Sequence, residues 1–214
     1  MVGLGRFGSA LAEELVGLGY DVLGLDTNPT LVQRFSGRIT QVVEADSTNL
    51  AAMEQLGAGD FSRAVVAIGS DIEASILTTA VLVDLEVTDI WAKAITQSHG
   101  RILERVGAQH VVFPEHDMGQ RVAHMVTGRM LDYMELDESF VLVETRAPKE
   151  LLGQTLGEAF GGAGVRAKYG VTVVCVKPAG ESFTYATADT IVEEEDILLV
   201  AGSKHEAEEF ARRA

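Results

Sequence analysis

The chain has 214 residues, of which 47% are hydrophobic and 23% charged, and its formal net charge at pH 7 is −15. This composition is typical of a folded globular protein and excludes a chain that is disordered throughout. The acidic balance argues against nucleic-acid binding, which needs a basic surface, and against direct adhesion to anionic lipid. The single cysteine, Cys175, excludes a disulfide framework and a cysteine metal pair.

No targeting or membrane-spanning segment is recognisable in the sequence. The first residues lack a basic segment followed by an apolar one. The longest apolar candidate, ASILTTAVLVDL, is interrupted by threonines and contains Asp84, whereas a membrane helix needs about 20 apolar residues. We therefore expect a cytoplasmic protein without direct membrane insertion.

In chain order, residues 1 to about 115 alternate short apolar runs with helical patterns. The runs are rich in Val and Ile and lie at 20–26, 40–46, 63–69, 89–95 and 110–114. Such runs are typical of strands buried on both faces of a parallel sheet. Between them, Leu11, Leu15 and Leu18 form a helical stripe, and Ser47 or Thr48 is placed to cap another helix. The alternation predicts an α/β fold, a Rossmann-like doubly wound parallel sheet.

The rhythm changes after residue 115. Residues 115–134 form a longer amphipathic segment with several methionines, which predicts either a helix that crosses between subunits or an ordinary core helix. Apolar alternations, a helix-like stretch at 151–160, a glycine-rich connector at 161–164 and a final helical pattern follow. We predict a small α+β second domain, with domains at 1–134 and 135–214.

Gly3, Gly5 and Gly8 have the G-x-G-x-x-G spacing of a dinucleotide-binding turn. Gly3 allows the tight turn, Gly5 lets phosphates approach the backbone, and Gly8 lets the following helix pack on the sheet. The helix start at Phe7 offers free N–H groups to phosphate. Only two residues precede Gly3; if nothing precedes Met1, we expect the central strand to be stunted.

Carboxylates follow two of the predicted strands. Asp26 lies eighteen residues beyond Gly8, where it can accept hydrogen bonds from ribose hydroxyls and repel a 2′-phosphate, which disfavours NADP. Asp46 ends the next strand and places its carboxylate and the Ser47 hydroxyl at the same edge. A helix cap is the other interpretation of these two residues.

Arg6 is unusual inside such a turn, because backbone N–H groups already serve a pyrophosphate. It can reach a terminal phosphate of ATP, or a phosphate held by a neighbouring subunit. A solvated arginine paired with Glu13 or Glu14 is the alternative.

The chain lacks the signature of a catalyst. Its five histidines are scattered, and no nucleophile–histidine–carboxylate arrangement, zinc-protease motif or Walker motif is present. A cradle for phosphates with nothing to act on them favours a sensor over an enzyme.

With these motifs in view, the chain resembles the regulator-of-potassium-conductance (RCK) family, the cytosolic gating subunits of Ktr and Trk potassium channels, and within it the KtrA/KtrC group. The matching stretches run nearly end to end: GLGRFG at 3–8, AIGSDIEASILTT at 67–79, IWAKA at 90–94, VGAQHVVFPEHDMG at 106–119, RAKYG at 166–170 and EEDILLVAG at 194–202.

The resemblance implies an N-terminal RCK-N domain that binds ATP or ADP, and homodimers assembled into an octameric ring beneath a KtrB-like membrane subunit. Arg6 matches the family arginine that reaches the γ-phosphate of ATP in the adjacent subunit. Glu115 matches an acidic residue associated with a divalent cation such as Mg²⁺ or Ca²⁺. Ile68, Gly69 and Lys93 lie in matching stretches and are further nucleotide-binding candidates.

The C-terminal segment resembles the RCK-C domain, which in many members binds cyclic di-AMP at its dimer interface. On this basis Val165, Arg166, Tyr169 and Pro178 are expected near such a pocket. For Val165 and Tyr169, a place in the hydrophobic core is the alternative.

Two alternatives remain open. Asp26 suits NAD(H) as well as ATP, so an NAD(H)-binding redox sensor or small oxidoreductase has the same fold. An RCK regulator of a cation/proton antiporter is the other, because no feature of the sequence identifies the membrane partner.

Overall fold

The computed structural model of the chain describes residues 1–127, 130–159 and 164–214. Contacts divide it into two compact units, residues 1–116 and 117–214, each with its own hydrophobic core. The first is built on parallel strands and the second on antiparallel strands, which confirms the predicted fold class. The units divide within a helix, and the domain boundary near residue 134 stays a prediction.

The first unit alternates strands and helices as the sequence predicts. Its strands are β1 (Leu23–Asp26), β2 (Gln41–Glu44), β3 (Arg63–Val66), β4 (Asp89–Lys93) and β5 (His110–Val112). Its helices are α1 (Arg6–Gly17), α2 (Pro29–Phe35), α3 (Leu50–Gln55), α4 (Ile72–Asp84) and α5 (Gln97–Val106), and α6 (Pro114–Val126) follows β5. The paired strands are parallel throughout.

The central strand is reduced to Val2, which forms a parallel bridge to Leu25 of β1 and another to Val66 of β3. The Val2 N–H donates to the Val65 carbonyl at 2.8 Å, and the Ala67 N–H donates to the Val2 carbonyl at 2.7 Å. Val2 therefore joins the strands in the order β2–β1–Val2–β3–β4–β5. The glycine turn starts where the strand order reverses, the usual ligand position in such sheets.

Side-chain caps start most helices of this unit. The caps of α2, α3, α4 and α5 are Asn28, Asn49, Asp71 and Thr96, each accepting a hydrogen bond from a backbone N–H of its first turn. Helix α1 differs, because it begins after Gly5 and has no side-chain cap.

The predicted cap of α3 is wrong by one or two residues. Asn49 caps this helix by accepting from the Ala52 N–H at 3.2 Å. The Ser47 hydroxyl instead lies 2.7 Å from the Thr78 hydroxyl on α4, and the Thr48 hydroxyl donates to Asp46. The partner of Ser47 is thus supplied by the tertiary fold, whereas that of Thr48 lies in the same local turn.

Helix α1 packs on the sheet mainly through small residues. Gly8, Ser9 and Ala12 are its buried positions, and small side chains let the helix approach the strands closely. Of the leucine stripe, Leu15 is half-buried against the core, whereas Leu18, just beyond the helix, is 65% exposed.

The second unit is a five-stranded antiparallel sheet with the order β6–β7–β10–β8–β9. Its strands are β6 (Asp132–Glu135), β7 (Phe140–Arg146), β8 (Thr172–Lys177), β9 (Thr184–Tyr185) and β10 (Ile197–Ser203), and its helices are α7 (Gly164–Tyr169) and α8 (Lys204–Ala211). The fully buried Phe210 of α8 belongs to its core. Among the described residues, no helix is long and apolar enough to cross a bilayer.

Two expectations for this unit need correction. The helix after residue 115 ends at Val126, because Asp132–Glu135 pairs with β7 as an edge strand. The helix-like stretch at 151–160 is held instead by bridges from Leu152 to Val192 and from Thr155 to Ile191. Most of the glycine-rich connector falls on residues 160–163, outside the described residues.

Candidate functional site

A cavity of about 1030 Å³ opens at the carboxyl edge of the parallel sheet, around the glycine turn. The segments that follow β1, β2, β3 and β4 contribute to its walls, together with the start of α1 and of α6. The predicted positions that line it are Gly3, Gly5, Arg6, Phe7, Asp26, Asp46, Ser47, Ile68, Gly69, Lys93 and Glu115.

The three glycines of the turn differ in whether backbone conformation or packing requires a glycine at that position. Gly3 has φ +91°, a conformation that strongly favours glycine. A Cβ on Gly8 would overlap the Gly3 carbonyl oxygen and lie 2.9 Å from the Ala67 Cβ, so close packing excludes any side chain there. A Cβ on Gly5 would meet nothing within 4 Å. Packing within the chain therefore does not require a glycine at position 5. Because Gly5 has no side chain, the backbone of the turn stays open on its cavity side.

The start of α1 is an electropositive helix end. It has no side-chain cap, and no acidic residue stands in its first turn. Its first N–H groups lack partners within the helix, and the helix dipole adds partial positive charge. This end can hold an anion against the backbone.

Asp26 fixes the turn to the end of β1. Its Oδ2 accepts from the Leu4 N–H at 2.7 Å, and its Oδ1 accepts from the Asn28 N–H at 2.8 Å. A carboxylate has about four acceptor positions, so both oxygens keep capacity for ligand hydroxyls. The carboxylate thus positions the glycine turn and remains an acceptor at the cavity.

Asp46 forms a similar local turn after β2. Its Oδ1 accepts from the Thr48 N–H at 2.9 Å and from the Thr48 hydroxyl at 2.7 Å. These hydrogen bonds lower the pKa of Asp46, so it is ionised at neutral pH. Ser47 is 5% exposed, and its hydroxyl points to Thr78 of α4.

The wall opposite these carboxylates holds an ion pair. Lys93, at the end of β4, is 8% exposed, and its Nζ lies 2.5 Å from Oε1 of Glu115, at the start of α6. Hydrogen bonding from Lys93 is the main cause that lowers the pKa of Glu115, and the charge of Arg6 acts in the same direction.

Arg6 is exposed at the first position of α1. Within the described ranges it forms no recorded hydrogen bond or salt bridge. One of the expected partners, Glu13, is paired with Arg38 at 2.6 Å. The guanidinium is therefore available at the cavity mouth.

The sequence alone missed part of the lining. Thr27, Asn28, Asp71, Glu73 and Ile95 also face the cavity. Each follows the carboxyl end of a strand or begins the next helix, which is the signal that could have found them.

The described carboxylates of the cavity do not form a preassembled cation site. Over the described ranges, no group of three or more His, Cys, Asp or Glu side chains could hold a metal. The expected role of Glu115 beside a divalent cation stays a prediction.

The positions expected near a cyclic di-AMP pocket lie in the second unit. Val165 is 5% exposed and belongs to the core. The Tyr169 hydroxyl donates to Glu150 at 2.7 Å, and Arg166 is exposed. Pro178 follows β8 and is half-buried. The site itself stays a prediction.

Comparison with known proteins identifies the family. The TrkA-N domain matches residues 1–114. The chain belongs to the TrkA-N family. Relatives match over nearly the full length: Ktr system potassium uptake protein C of Bacillus subtilis is 38% identical over 214 residues, covering 100% of this chain and 95% of the relative. Ktr system potassium uptake protein A of the same organism is 34% identical over 211 residues, covering 98% and 93%. The predicted resemblance to the KtrA/KtrC group is confirmed.

Solved structures support the fold of this TrkA-N protein. The GsuK RCK domain aligns with a TM-score of 0.66 and 19% identity, covering 100% of this chain and 47% of that chain. The GsuK channel bound to NAD aligns with a TM-score of 0.64 and 18% identity, covering 96% and 37%. The chain thus spans half or less of these GsuK chains, and its fold is that of RCK domains.

Proposed function

We propose that this protein is a cytoplasmic nucleotide-sensing subunit that gates a Ktr/Trk-type potassium uptake channel. The observation that carries the proposal is the uncapped start of α1 at the glycine turn, with Asp26 beside it, at the switch point of the sheet. Its Ktr relatives supply the transport context. No chemistry on the nucleotide is proposed.

The nucleotide would lie along the carboxyl edge of the sheet. Its phosphates would accept from the N–H groups at the start of α1, and its ribose hydroxyls would donate to Asp26. Asp46 is placed for the adenosine end. The open space beside Gly5 is where the phosphates would approach the backbone.

A divalent cation is part of the proposal because of charge. The cavity is lined by five carboxylates and only two cationic side chains, Arg6 and Lys93; the carboxylates are Asp26, Asp46, Asp71, Glu73 and Glu115. A triphosphate entering this surface meets net negative charge, and like charges repel strongly at close range. A Mg²⁺ or Ca²⁺ ion between the phosphates and Glu115 would remove that repulsion.

The sensing step would depend on the γ-phosphate. A ligand shifts a conformational equilibrium only by its difference in affinity for the two states. An arginine that contacts the γ-phosphate of ATP, but finds no such group on ADP, supplies this difference. Arg6, exposed at the cavity mouth, would make that contact to a nucleotide in the adjacent subunit.

The readout would be the shape of an assembly. In this proposal homodimers form an octameric ring docked on a KtrB-like membrane subunit, so the protein is peripheral at the inner face of the membrane. The exposed apolar positions of α6, Met118, Val122 and Val126, support self-association.

An NAD(H)-binding sensor is the second candidate, because the GsuK channel was solved bound to NAD and Asp26 would accept hydrogen bonds from the ribose of either ligand. Calorimetric titration of the full chain with ATP, ADP, AMP and NADH, each with Mg²⁺, separates the two. We expect ATP and ADP to bind and NADH to bind at least tenfold more weakly. NADH binding without ATP binding would establish the alternative.

Asp26→Asn tests the site itself. The variant should weaken ATP and ADP about tenfold, since a hydrogen bond to a charged group contributes about 1.5 kcal/mol. Asp84→Asn, an exposed carboxylate at the end of α4, is the matched control and should bind as wild type. Gating is then measured as potassium flux through a KtrB-like channel with ATP or ADP; equal flux with both would contradict the sensing role.

A further inference from the structure

A pair of buried hydroxyls ties the turn after β2 to helix α4. The hydroxyl oxygens of Ser47 and Thr78 lie 2.7 Å apart, and the two residues are 5% and 0% exposed. A hydroxyl that is removed from water costs free energy unless it has a hydrogen-bond partner. Each of these two groups therefore stabilises the buried position of the other.

Thr78 differs from two other buried hydroxyl residues of α4. The Thr79 hydroxyl donates to the Ser75 carbonyl within the same helix, at 2.8 Å. The Ser75 hydroxyl has no hydrogen-bond partner among the described residues. Ser75 and Thr79 are both 0% exposed, so burial alone does not give a hydroxyl of α4 a contact outside the helix. The contact between Thr78 and Ser47 does join α4 to another segment.

Both of the joined segments form walls of the cavity at the carboxyl edge of the sheet. Asp46 and Ser47 line the cavity from the turn after β2, and Leu77 lines it from α4. The Asp46 Oδ1 accepts from the N–H and the hydroxyl of Thr48. Because these two hydrogen bonds are local, they orient the carboxylate only relative to its own turn. The hydroxyl pair links that turn to α4.

We propose that Ser47 and Thr78 are positioning residues of the nucleotide site. Their hydrogen bond sets the separation between the Asp46 turn and α4, and so the shape of the cavity at its adenosine end. Ser47 acts through Thr78 rather than by contact with the nucleotide. The inference rests on the proposed nucleotide site, in which Asp46 is placed for adenosine. Loss of the hydrogen bond lets the turn shift, so nucleotides of every phosphate length lose the same contact.

Calorimetry on the full chain with AMP, ADP and ATP in Mg²⁺ tests this role. Thr78→Val keeps the branched shape of the side chain but removes its hydroxyl, which leaves the Ser47 hydroxyl buried without its partner. We expect all three nucleotides to bind about fivefold more weakly, the size of one net hydrogen bond. Thr78→Ser retains a hydroxyl and should bind the nucleotides as wild type does.

Thr79→Val is the matched control, because it removes an equally buried hydroxyl from the same helix. The partner of that hydroxyl is the Ser75 carbonyl, so the change should lower the midpoint of thermal unfolding and leave nucleotide affinity unchanged. Ser47→Ala should weaken binding as Thr78→Val does, and the double variant should bind no more weakly than the weaker single variant. Two residues that act through one hydrogen bond are expected to be non-additive in this way.

Hydrogen exchange measured by mass spectrometry gives a second readout. In Thr78→Val and in Ser47→Ala, the N–H groups of residues 46–49 should exchange faster than in wild type, because the turn is no longer held to α4. Exchange in α1 should be unchanged. Thermal unfolding verifies that each variant folds, and Ser47→Ala, which lies outside the helices, keeps the test valid if Thr78→Val does not fold.

The outcomes separate this inference from the proposed function. If wild type binds neither ATP nor ADP, the proposed function fails. If wild type binds both, and Thr78→Val and Ser47→Ala bind them as tightly, only the positioning role is overturned, whatever the change in stability. Weaker binding confined to ATP would place the effect at the phosphates and would also overturn it. The same holds if Thr79→Val weakens nucleotide binding as much as Thr78→Val.

Discussion

Arg6 forms no hydrogen bond or salt bridge among the described residues, although it follows directly on a turn in which Gly3 and Gly8 are required by backbone conformation and close packing. It is exposed, and its expected partner Glu13 is held by Arg38 at 2.6 Å. Its charge nevertheless acts on Glu115, whose pKa it helps to lower. An exposed arginine that lines the cavity is available for a ligand, so its removal should affect binding more than folding.

Arg6→Ala is expected to reduce the difference between ATP and ADP in binding affinity and in channel activation. ATP affinity should fall about tenfold or more, since a charge-assisted hydrogen bond contributes about 1.5–3 kcal/mol, and ADP affinity should change less. Calorimetry measures the difference in affinity between ATP and ADP, and potassium flux measures the difference in channel activation. Arg38→Ala removes an arginine of the same unit outside the cavity and serves as control; an unchanged ATP/ADP difference in Arg6→Ala would exclude the γ-phosphate role.

The sequence predicted single residues well where one residue type has a unique backbone property. Gly3 needs a positive φ and Gly8 needs the absence of a Cβ, and both are fixed by the turn itself. It predicted Ser47 less well, because a hydroxyl can cap a helix, bind a ligand or pair elsewhere. In the folded chain α4 lies beside Ser47, and the Ser47 hydroxyl pairs with the hydroxyl of Thr78.

At the scale of elements, helix α5 carries a buried histidine beside the cavity wall. His99 is 1% exposed, its Nδ1 accepts from the Ile95 N–H at 3.4 Å, and its Nε2 has no hydrogen-bond partner among the described residues. Burial lowers the pKa of His99 below its usual 6.5. The folded chain thus holds this ring neutral in a pH range where the unfolded chain protonates it.

The free energy of unfolding should therefore fall as the pH drops below 6.5, because the unfolded state then binds more protons. The His99 contribution to the slope is at most about 1.4 kcal/mol per pH unit. Urea unfolding of the ligand-free protein between pH 7.5 and 5 measures it, and His99→Leu should flatten the curve. The exposed His116→Gln is the control; parallel curves for wild type and His99→Leu would refute this assignment.

The sequence predicted the elements that have a clear hydrophobic pattern, but it missed the short strand β6. The five parallel strands appear close to their predicted positions, since continuous Val- and Ile-rich runs suit strands covered on both faces. The sequence predicted most of β6 as part of the preceding helix, because Met134 continues the apolar spacing of α6. Pairing with β7 buries Tyr133 and exposes Met134, and that long-range pairing decides the strand.

At the scale of the whole molecule, exposed apolar surface coexists with a net charge of −15. Met118, Val122 and Val126 recur along α6 at helical spacing and are 52%, 41% and 78% exposed. Such a stripe is typical of a helix face that meets another surface. The acidic charge opposes association, so burial of apolar area must provide the driving force.

Val122→Asp should weaken self-association of the full chain. The change places a charge in the apolar stripe, and the same charge in Gln120→Asp, on another exposed face of α6, should have little effect. Light scattering coupled to size-exclusion chromatography measures the mass at several protein concentrations. Identical masses for both variants and wild type would argue against this face as the interface.

The sequence by itself determined the class of each unit, the glycine turn and the two strand-end aspartates, because these follow from local backbone preferences and from the hydrophobic period. Only the tertiary structure decided which side chains meet. Lys93 and Glu115 lie 22 residues apart, yet β4 and α6 bring them to 2.5 Å, and Ser47 meets Thr78 across 31 residues. Such contacts depend on how parallel strands align their carboxyl ends, a property of the assembled sheet that no local pattern encodes.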